Sequence, residues 1–214
     1  TTRQPGSTFK ILAAYSAALD AGGLTLASVQ DDAPYTYAGA NGKSVNNYDR
    51  RYRGFTTLRE AITDSINIVT VKTLAQAGVS LGWQYVQEYG FTTVDSRDMN
   101  EALALGGITQ GVSNLELTAA YAAIANQGTY TRPVFYSQVI DSNGRVLLDN
   151  TTPTTHTVLK ASTASLLTQG MTSVITEGTG TSAKLDGKMP VSGKTGTTSS
   201  EYDLWFCGYL PYLP

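Results

Sequence analysis

The order of the periodic segments along the chain limits its fold more than any other feature. Apolar residues recur at helical spacing early on. The last two apolar runs, Met189 to Thr197 and Asp203 to Tyr209, have strand character and are joined by a polar turn at Thr198 to Glu201. Helices and strands kept apart in this way predict an α+β fold in which a sheet is covered by helices. No internal repeat points to a solenoid or propeller.

The first helix is predicted from about Ser7 to Ala21, with Phe9, Leu12, Ala13 and Ser16 at helical spacing and Gly22-Gly23 as a stop. Small residues surround it, which predicts burial. From Leu24 to Phe55 the composition turns to Asp, Asn, Gly and Tyr, an irregular stretch with short strands at most, and function often sits in such loops. Thr57-Leu58-Arg59-Glu60 fits a capping box, so a helix starts there, and Thr63 to Asn67 interrupts it before the apolar run that ends at Gly78. Ser113-Asn114-Leu115-Glu116 fits the same pattern and opens an Ala-rich helix that closes near Asn126 and Gly128. A hairpin is predicted from Val134 to Ile140, the turn Asp141-Ser142-Asn143-Gly144, and Arg145 to Leu148. A helix from about Ala161 to Thr176 and a Thr/Gly-rich segment, Glu177 to Ser182, lead into the final strands.

Composition removes several function classes. The 214 residues, 41% hydrophobic, suffice for one substantial core and one domain. With 15 basic and 17 acidic residues, a net charge of -2 and no long basic run, no nucleic-acid partner is expected. The one histidine, His156, lies in the Thr-rich stretch Thr151 to Thr157 and reads as a solvated loop residue, so a Ser-His-Asp triad has no base. The one cysteine, Cys207, lies in the apolar run Leu204 to Leu210, which reads as a buried strand. Neither a metal nor a cofactor is predicted, because His and Cys ligands are nearly lacking. No apolar stretch is long enough to span a bilayer and no signal peptide is present, but a chain starting at Thr1 reads as a segment of something longer.

Catalysis therefore has to rest on Ser, Lys, Tyr, Asp or Glu. In Pro5-Gly6-Ser7-Thr8-Phe9-Lys10, the serine and lysine are three apart on a helix and share a face. Ser7 would occupy the first turn, where the N–H groups and the helix dipole favour an alkoxide or an oxyanion. For Lys10 to act as a base, its pKa has to fall from ~10.4 towards ~7–8 through burial and a nearby second cation. The plain alternative is a capping serine followed by a solvated lysine. Ser65-Ile66-Asn67 in the interrupted helix reads alone as a polar face or cap, and Lys194 of Lys194-Thr195-Gly196 as an edge-strand charge. Gly193-Lys194-Thr195 does not end a phosphate-binding loop, since the glycine needed five positions earlier is Lys188.

Ser-x-x-Lys, Ser-x-Asn and Lys-Thr-Gly in this order resemble the penicillin-binding transpeptidases and their relatives, the serine β-lactamases. Arg3 to Lys10, Gly54 to Asn67, Gly106 to Gly128 and Gly178 to Pro211 are similar to the transpeptidase domain of class A, bifunctional penicillin-binding proteins. Within them stand Gly106-Gly107-Ile108-Thr109-Gln110-Gly111-Val112 and Asp203-Leu204-Trp205-Phe206. The resemblance implies an antiparallel sheet flanked by helices with a helical lobe. It also implies that residues 1–214 are one transpeptidase domain truncated at both ends, without the family's first strand and its last strand and helix. A glycosyltransferase domain and a membrane anchor would lie upstream, placing the domain on the extracytoplasmic face of the bacterial membrane.

The resemblance further implies that Ser7 attacks the D-Ala-D-Ala bond of a peptidoglycan stem peptide and passes the acyl group to an amine, and that β-lactams acylate the same serine. Lys10 would take the Ser7 proton, Ser65 would relay a proton to the leaving amine, and Lys194 would hold Lys10 neutral. Asn67 would bind the substrate backbone, Thr195 and Thr197 on either side of Gly196 the terminal carboxylate, and the N–H groups of Ser7 and Thr197 the oxyanion. Ile11 stands where class A proteins usually have proline. A β-lactamase of the oxacillin-hydrolysing class would show Ser-x-Val in place of Ser65-Ile66-Asn67. A non-catalytic β-lactam sensor or scaffold is the alternative of another kind.

Overall fold

The computed structural model describes residues 1–38, 42–186 and 189–210; Lys188 and Pro211 lie outside them. A short strand, Thr2–Arg3 (β1), leads into the first predicted helix. This segment is helical from Gly6 to Asp20 but changes its winding: a 3-10 turn at Gly6–Thr8, a π-helical turn at Ile11–Tyr15, then α1 at Ser16–Asp20. The Ser16 hydroxyl donates to the Ile11 carbonyl five residues back (2.8 Å), at the place where the winding widens. Every residue from Thr8 to Leu19 is buried, as expected of a helix apolar on all sides.

Among its described residues the irregular stretch contains only short strands, Val29–Asp32 (β2), Tyr35–Thr36 (β3) and Ser44–Val45 (β4), before Gly54–Thr57 (β5). β2 pairs with β5 and β3 with β4, all antiparallel. The Thr57 capping box then opens Leu58–Thr63 (α2): the Glu60 N–H donates to Thr57 Oγ1 (3.2 Å) and the Thr57 N–H to Glu60 Oε2 (2.8 Å). The predicted interruption falls at Asp64 to Ile66, where Ser65 has φ +56°, and Asn67–Ala77 (α3) follows.

Gly78, at φ +105°, redirects the chain into Val79–Glu88 (α4), a helix the sequence reading did not include. Val112–Ser113 (β6) pairs back with β1, and the second capping box opens Asn114–Ala125 (α5). Thr129–Thr131 (β7) comes next. The hairpin is shorter than predicted, Gln138–Ile140 (β8) and Val146–Asp149 (β9), and Thr155–Thr157 (β10) returns to β7. Ala161–Thr176 (α6) has its predicted bounds. Ser192–Thr197 (β11) and Leu204–Tyr209 (β12) form an antiparallel ladder with Lys194 opposite Cys207.

The main core forms where the first helix meets α2, α3 and α6, through Leu12, Ile62, Ile68, Leu74, Leu167 and Met171. β11 is buried from Ser192 to Lys194, and α6 bonds to it through Thr172 Oγ1 and Ser192 Oγ (2.9 Å). β12 corrects the expectation of a fully buried strand. It alternates, with Trp205, Cys207 and Tyr209 half-buried against the core while Leu204 and Phe206 are 73% and 46% exposed, because only one of its two faces is covered. His156 is also not a loop residue. It sits exposed on β10, its ring 5.1 Å from that of Tyr130 and its Nε2 2.7 Å from the Glu88 carbonyl oxygen.

Candidate active site

Two backbone segments, Gly196–Thr197 and the turn at Gly106, close around the turn that carries Ser7, and the approach depends on three glycines. Gly6 has φ +53°, and a Cβ there would stand 2.9 Å from the Thr197 carbonyl oxygen. A Cβ on Gly106 would overlap the Gly6 carbonyl oxygen and lie 2.8 Å from its nitrogen. One on Gly196 would be 2.9 Å from the Pro5 oxygen and 2.8 Å from Thr8 Cγ2. Side chains fix the turn further: the Gln4 amide donates to and accepts from the Ile108 backbone, Trp205 Nε1 donates to the Gln4 oxygen (3.0 Å), and the Tyr121 hydroxyl donates to the Thr8 oxygen (2.7 Å).

Ser7 is left half-buried on the wall of a cavity of about 890 Å³ shared with Ser65, Asn67, Thr195, Gly196 and Thr197. Lys10 lies behind it, fully buried, and its Nζ meets the Ser65 carbonyl oxygen (2.6 Å), Asn67 Oδ1 (2.6 Å) and Ser65 Oγ (3.1 Å). The predicted direct contact is not made here: no hydrogen bond joins Lys10 to Ser7. Lys194 is fully buried, not an edge-strand charge, and donates to Ser65 Oγ (2.8 Å) and the Thr195 oxygen (3.1 Å). The left-handed Ser65 thus places one hydroxyl between two amines. Thr195 is half-buried and bonds Thr179 Oγ1 (2.7 Å), while Thr197 is exposed to the cavity.

Neither lysine pairs with a carboxylate among the described residues. Burial, and then the Lys194 charge, holds the Lys10 amine well below its ordinary pKa. Burial brings Lys194 to about 7. The Cys207 thiol across the ladder is pushed up to about 12 by burial, so at neutral pH it stays protonated and supplies no counter-charge.

Two arrangements of protons satisfy these contacts: both amines donating to the Ser65 hydroxyl, or, as the lowered Lys10 pKa favours, a neutral Lys10 accepting from it. In the second, Lys10 gives its two N–H groups to the Ser65 carbonyl and Asn67 Oδ1, which are pure acceptors. Its lone pair then faces Ser65 Oγ. A charged Lys194 donates to that oxygen, and the Ser65 hydroxyl hydrogen points at Lys10. The Asn67 amide cannot be flipped without loss, because its Nδ2 donates to the Asn46 oxygen (2.7 Å).

A sequence profile described as the penicillin binding protein transpeptidase domain matches residues 1–213. The chain belongs to this family. Among curated relatives, the domain is 39% identical to penicillin-binding protein 1F of Bacillus subtilis over 99% of this chain and 29% of that protein. It is 37% identical to penicillin-binding protein 1A of Clostridium acetobutylicum over 98% and 27%. The chain therefore spans less than a third of the relatives it matches. Among solved structures, penicillin-binding protein 1A from Haemophilus influenzae superposes with a TM-score of 0.83 at 25% identity, covering 97% of this chain and 36% of that one. Penicillin-binding protein PonA1 from Mycobacterium tuberculosis gives 0.80 at 26% identity, covering 99% and 58%.

All eight predicted site residues of this transpeptidase domain fall in one place, Lys10 and Lys194 behind the cavity and the other six on its wall. Gln4, Asn46 and Thr179 went unread: each acts through a backbone or hydroxyl contact that no local motif announces. A second cavity of about 450 Å³ between α5 and β12 holds none of the eight. Among the described residues no three His, Cys, Asp or Glu side chains converge as a metal site requires, and no helix is long and apolar enough to cross a membrane.

Proposed function

We propose that this domain is a peptidoglycan D,D-transpeptidase working through a Ser7 acyl-enzyme. Ser7 Oγ bonds to the carbonyl carbon of the penultimate D-alanine, and its proton passes to the Lys10 lone pair. The tetrahedral intermediate then collapses, the peptide C–N bond breaks, and the proton travels through Ser65 to the departing D-alanine amine. An acceptor amine attacks the ester, forms the cross-linking amide and returns Ser7 to its hydroxyl form. A β-lactam would acylate Ser7 by the same first step, with its leaving nitrogen still tethered.

The observation that carries this reading is the Ser65 hydroxyl held between Lys10 and Lys194. It supports a base kept neutral by burial and by a neighbouring cation, and a relay already in contact with that base. Substrate has to bring the Ser7 hydroxyl within reach of Lys10, a contact that commonly tightens only in the complex. Gly6, packed against the Thr197 backbone, supports an oxyanion site from the Ser7 and Thr197 N–H groups, with Thr195 and Thr197 placed for the substrate carboxylate. Both ends of the Asn67 amide are already occupied, which supports holding Lys10 as its main task and backbone recognition as a secondary one. The extracytoplasmic face of the membrane, where stem peptides are exposed, is the location this function requires.

A thioester mimic of the stem peptide, offered with a D-amino acid acceptor, tests the reading. Amide product forming faster than free acid supports a transpeptidase. Hydrolysis alone would favour the β-lactamase-like alternative, and a single acylation without turnover would favour a sensor.

A further inference from the structure

We infer that Asn47, locked in place by Asp32, is a positioning residue for the Ser65–Asn67 turn, an assignment that rests on the reading of Lys10 as the base. The N-terminus of α3 carries the argument. Its first N–H groups have no partner within the helix, and the residue at the cap position, Ile66, has no side chain able to accept from them. Asn47, twenty residues earlier, does so instead: its Oδ1 accepts from the Asn67 N–H (3.0 Å) and the Ile68 N–H (3.2 Å).

That cap has only one workable orientation. The Asn47 Nδ2 group donates to both oxygens of Asp32 (2.8 and 3.0 Å) and to the Arg51 carbonyl (2.8 Å). A carboxylate only accepts, so the amide must turn its NH2 towards Asp32 and its oxygen towards α3. Asp32 is itself fully buried, accepts the Arg53 N–H (2.9 Å) and lies 3.8 Å from the Arg53 guanidinium. Asn47 is 4% exposed, and both polar atoms of its side chain are in use.

The residue thus capped is also the one that holds Lys10. Asn67 is tied through its backbone N–H to Asn47, through Nδ2 to the Asn46 oxygen and through Oδ1 to Lys10. Two residues before it, Ser65 keeps a left-handed backbone, which persists only where the surroundings over-determine it. Asp32 and Asn47 supply that constraint. Releasing the start of α3 displaces the acceptors of the Lys10 amine, and a misplacement of about 1 Å in such a constellation can cost on the order of a hundredfold in rate.

The test is stopped-flow acylation by a fluorescent penicillin on the whole natural protein, separating the dissociation constant of the initial complex from the acylation rate constant, with thermal stability measured in parallel. Asn47→Ala is expected to lower the rate constant at least about tenfold while initial binding stays within about twofold. Asn47→Asp sets two carboxylates face to face and should be as slow or slower. Adding Asp32→Asn restores one donor facing one acceptor, so D32N/N47D should be roughly tenfold faster than N47D. A folded Asn47→Ala protein with the unsubstituted rate constant overturns the inference, even if its melting temperature falls. Should Asn47→Ala not fold, the swap decides, and D32N/N47D no faster than N47D overturns it. No acylation of the unsubstituted protein would instead overturn the reading of the site, and this inference with it.

Discussion

Ser65 adopts a backbone conformation that costs a non-glycine residue roughly 1–2 kcal/mol, and it does so beside two lysines that burial strips of solvent. The cost is intelligible if the two amines have different tasks, one charged and one neutral. Burial and then the Lys194 charge depress Lys10; Lys194→Met removes the second, so the acid limb of the acylation pH profile is expected to move up, with the rate at its optimum falling about a hundredfold or more. An acid limb that does not move would mean that burial alone keeps Lys10 neutral. The glycines give a sharper contrast. Gly106 and Gly144 both have left-handed backbones, at φ +76° and +82°, but a Cβ meets the Gly6 backbone in the first case and open space in the second. Gly144→Ala should therefore cost only the backbone term of about 1–2 kcal/mol and leave acylation intact, whereas Gly106→Ala should cost more and slow acylation as well. Denaturant melts paired with acylation rates check both.

The elements whose ends carry explicit chemistry were legible in the sequence. Both capping boxes form, and Ser113→Ala is expected to destabilise the protein by about 1 kcal/mol in urea melts, since it leaves the Glu116 N–H without its acceptor. α6 and the β11–β12 ladder also follow from periodicity, and the break before α3 from the polar residues at Thr63 to Asn67. α4 was missed, although Val79, Trp83 and Val86 stand at i, i+4 and i+7; Gly78 marks a sharp turn between two helices and not the end of helical structure. Full burial of β12 was over-read: Cys207 packs against the core, but an apolar run shows strand character without showing whether the second face is covered, and Leu204 and Phe206 are exposed. Seven of the eight candidate site residues were legible because they stand in three short motifs in a set order, and Thr197 follows directly on the last of them. Asn47 and Asp32 were not, because a cap reaching across twenty residues has no local pattern and lies in a stretch whose composition says only that it is irregular.

At the scale of the whole molecule the site and the fold pull against each other. Both lysines have pKa values lower in the folded protein than their ordinary 10.5, Lys194 at about 7 and Lys10 below its ordinary value by a wide margin. Between the folded and unfolded values the unfolded chain binds more protons, so stability rises with pH and is lost as pH falls through the folded values. Stability should therefore climb from pH 7 to about 9, below the range in which unfolded tyrosines ionise. The double variant K10M/K194M should flatten that climb and be more stable near neutrality while being inactive. Chemical denaturation across pH checks the slope, and a climb that persists unchanged in the double variant would assign it to other groups. The most direct measurement for the central claim is intact-protein mass spectrometry of the whole natural protein and its Ser7→Ala variant after incubation with penicillin. The account predicts one slowly released adduct on the unsubstituted protein and none on Ser7→Ala; an adduct that survives the substitution, or no adduct on either protein, would contradict it.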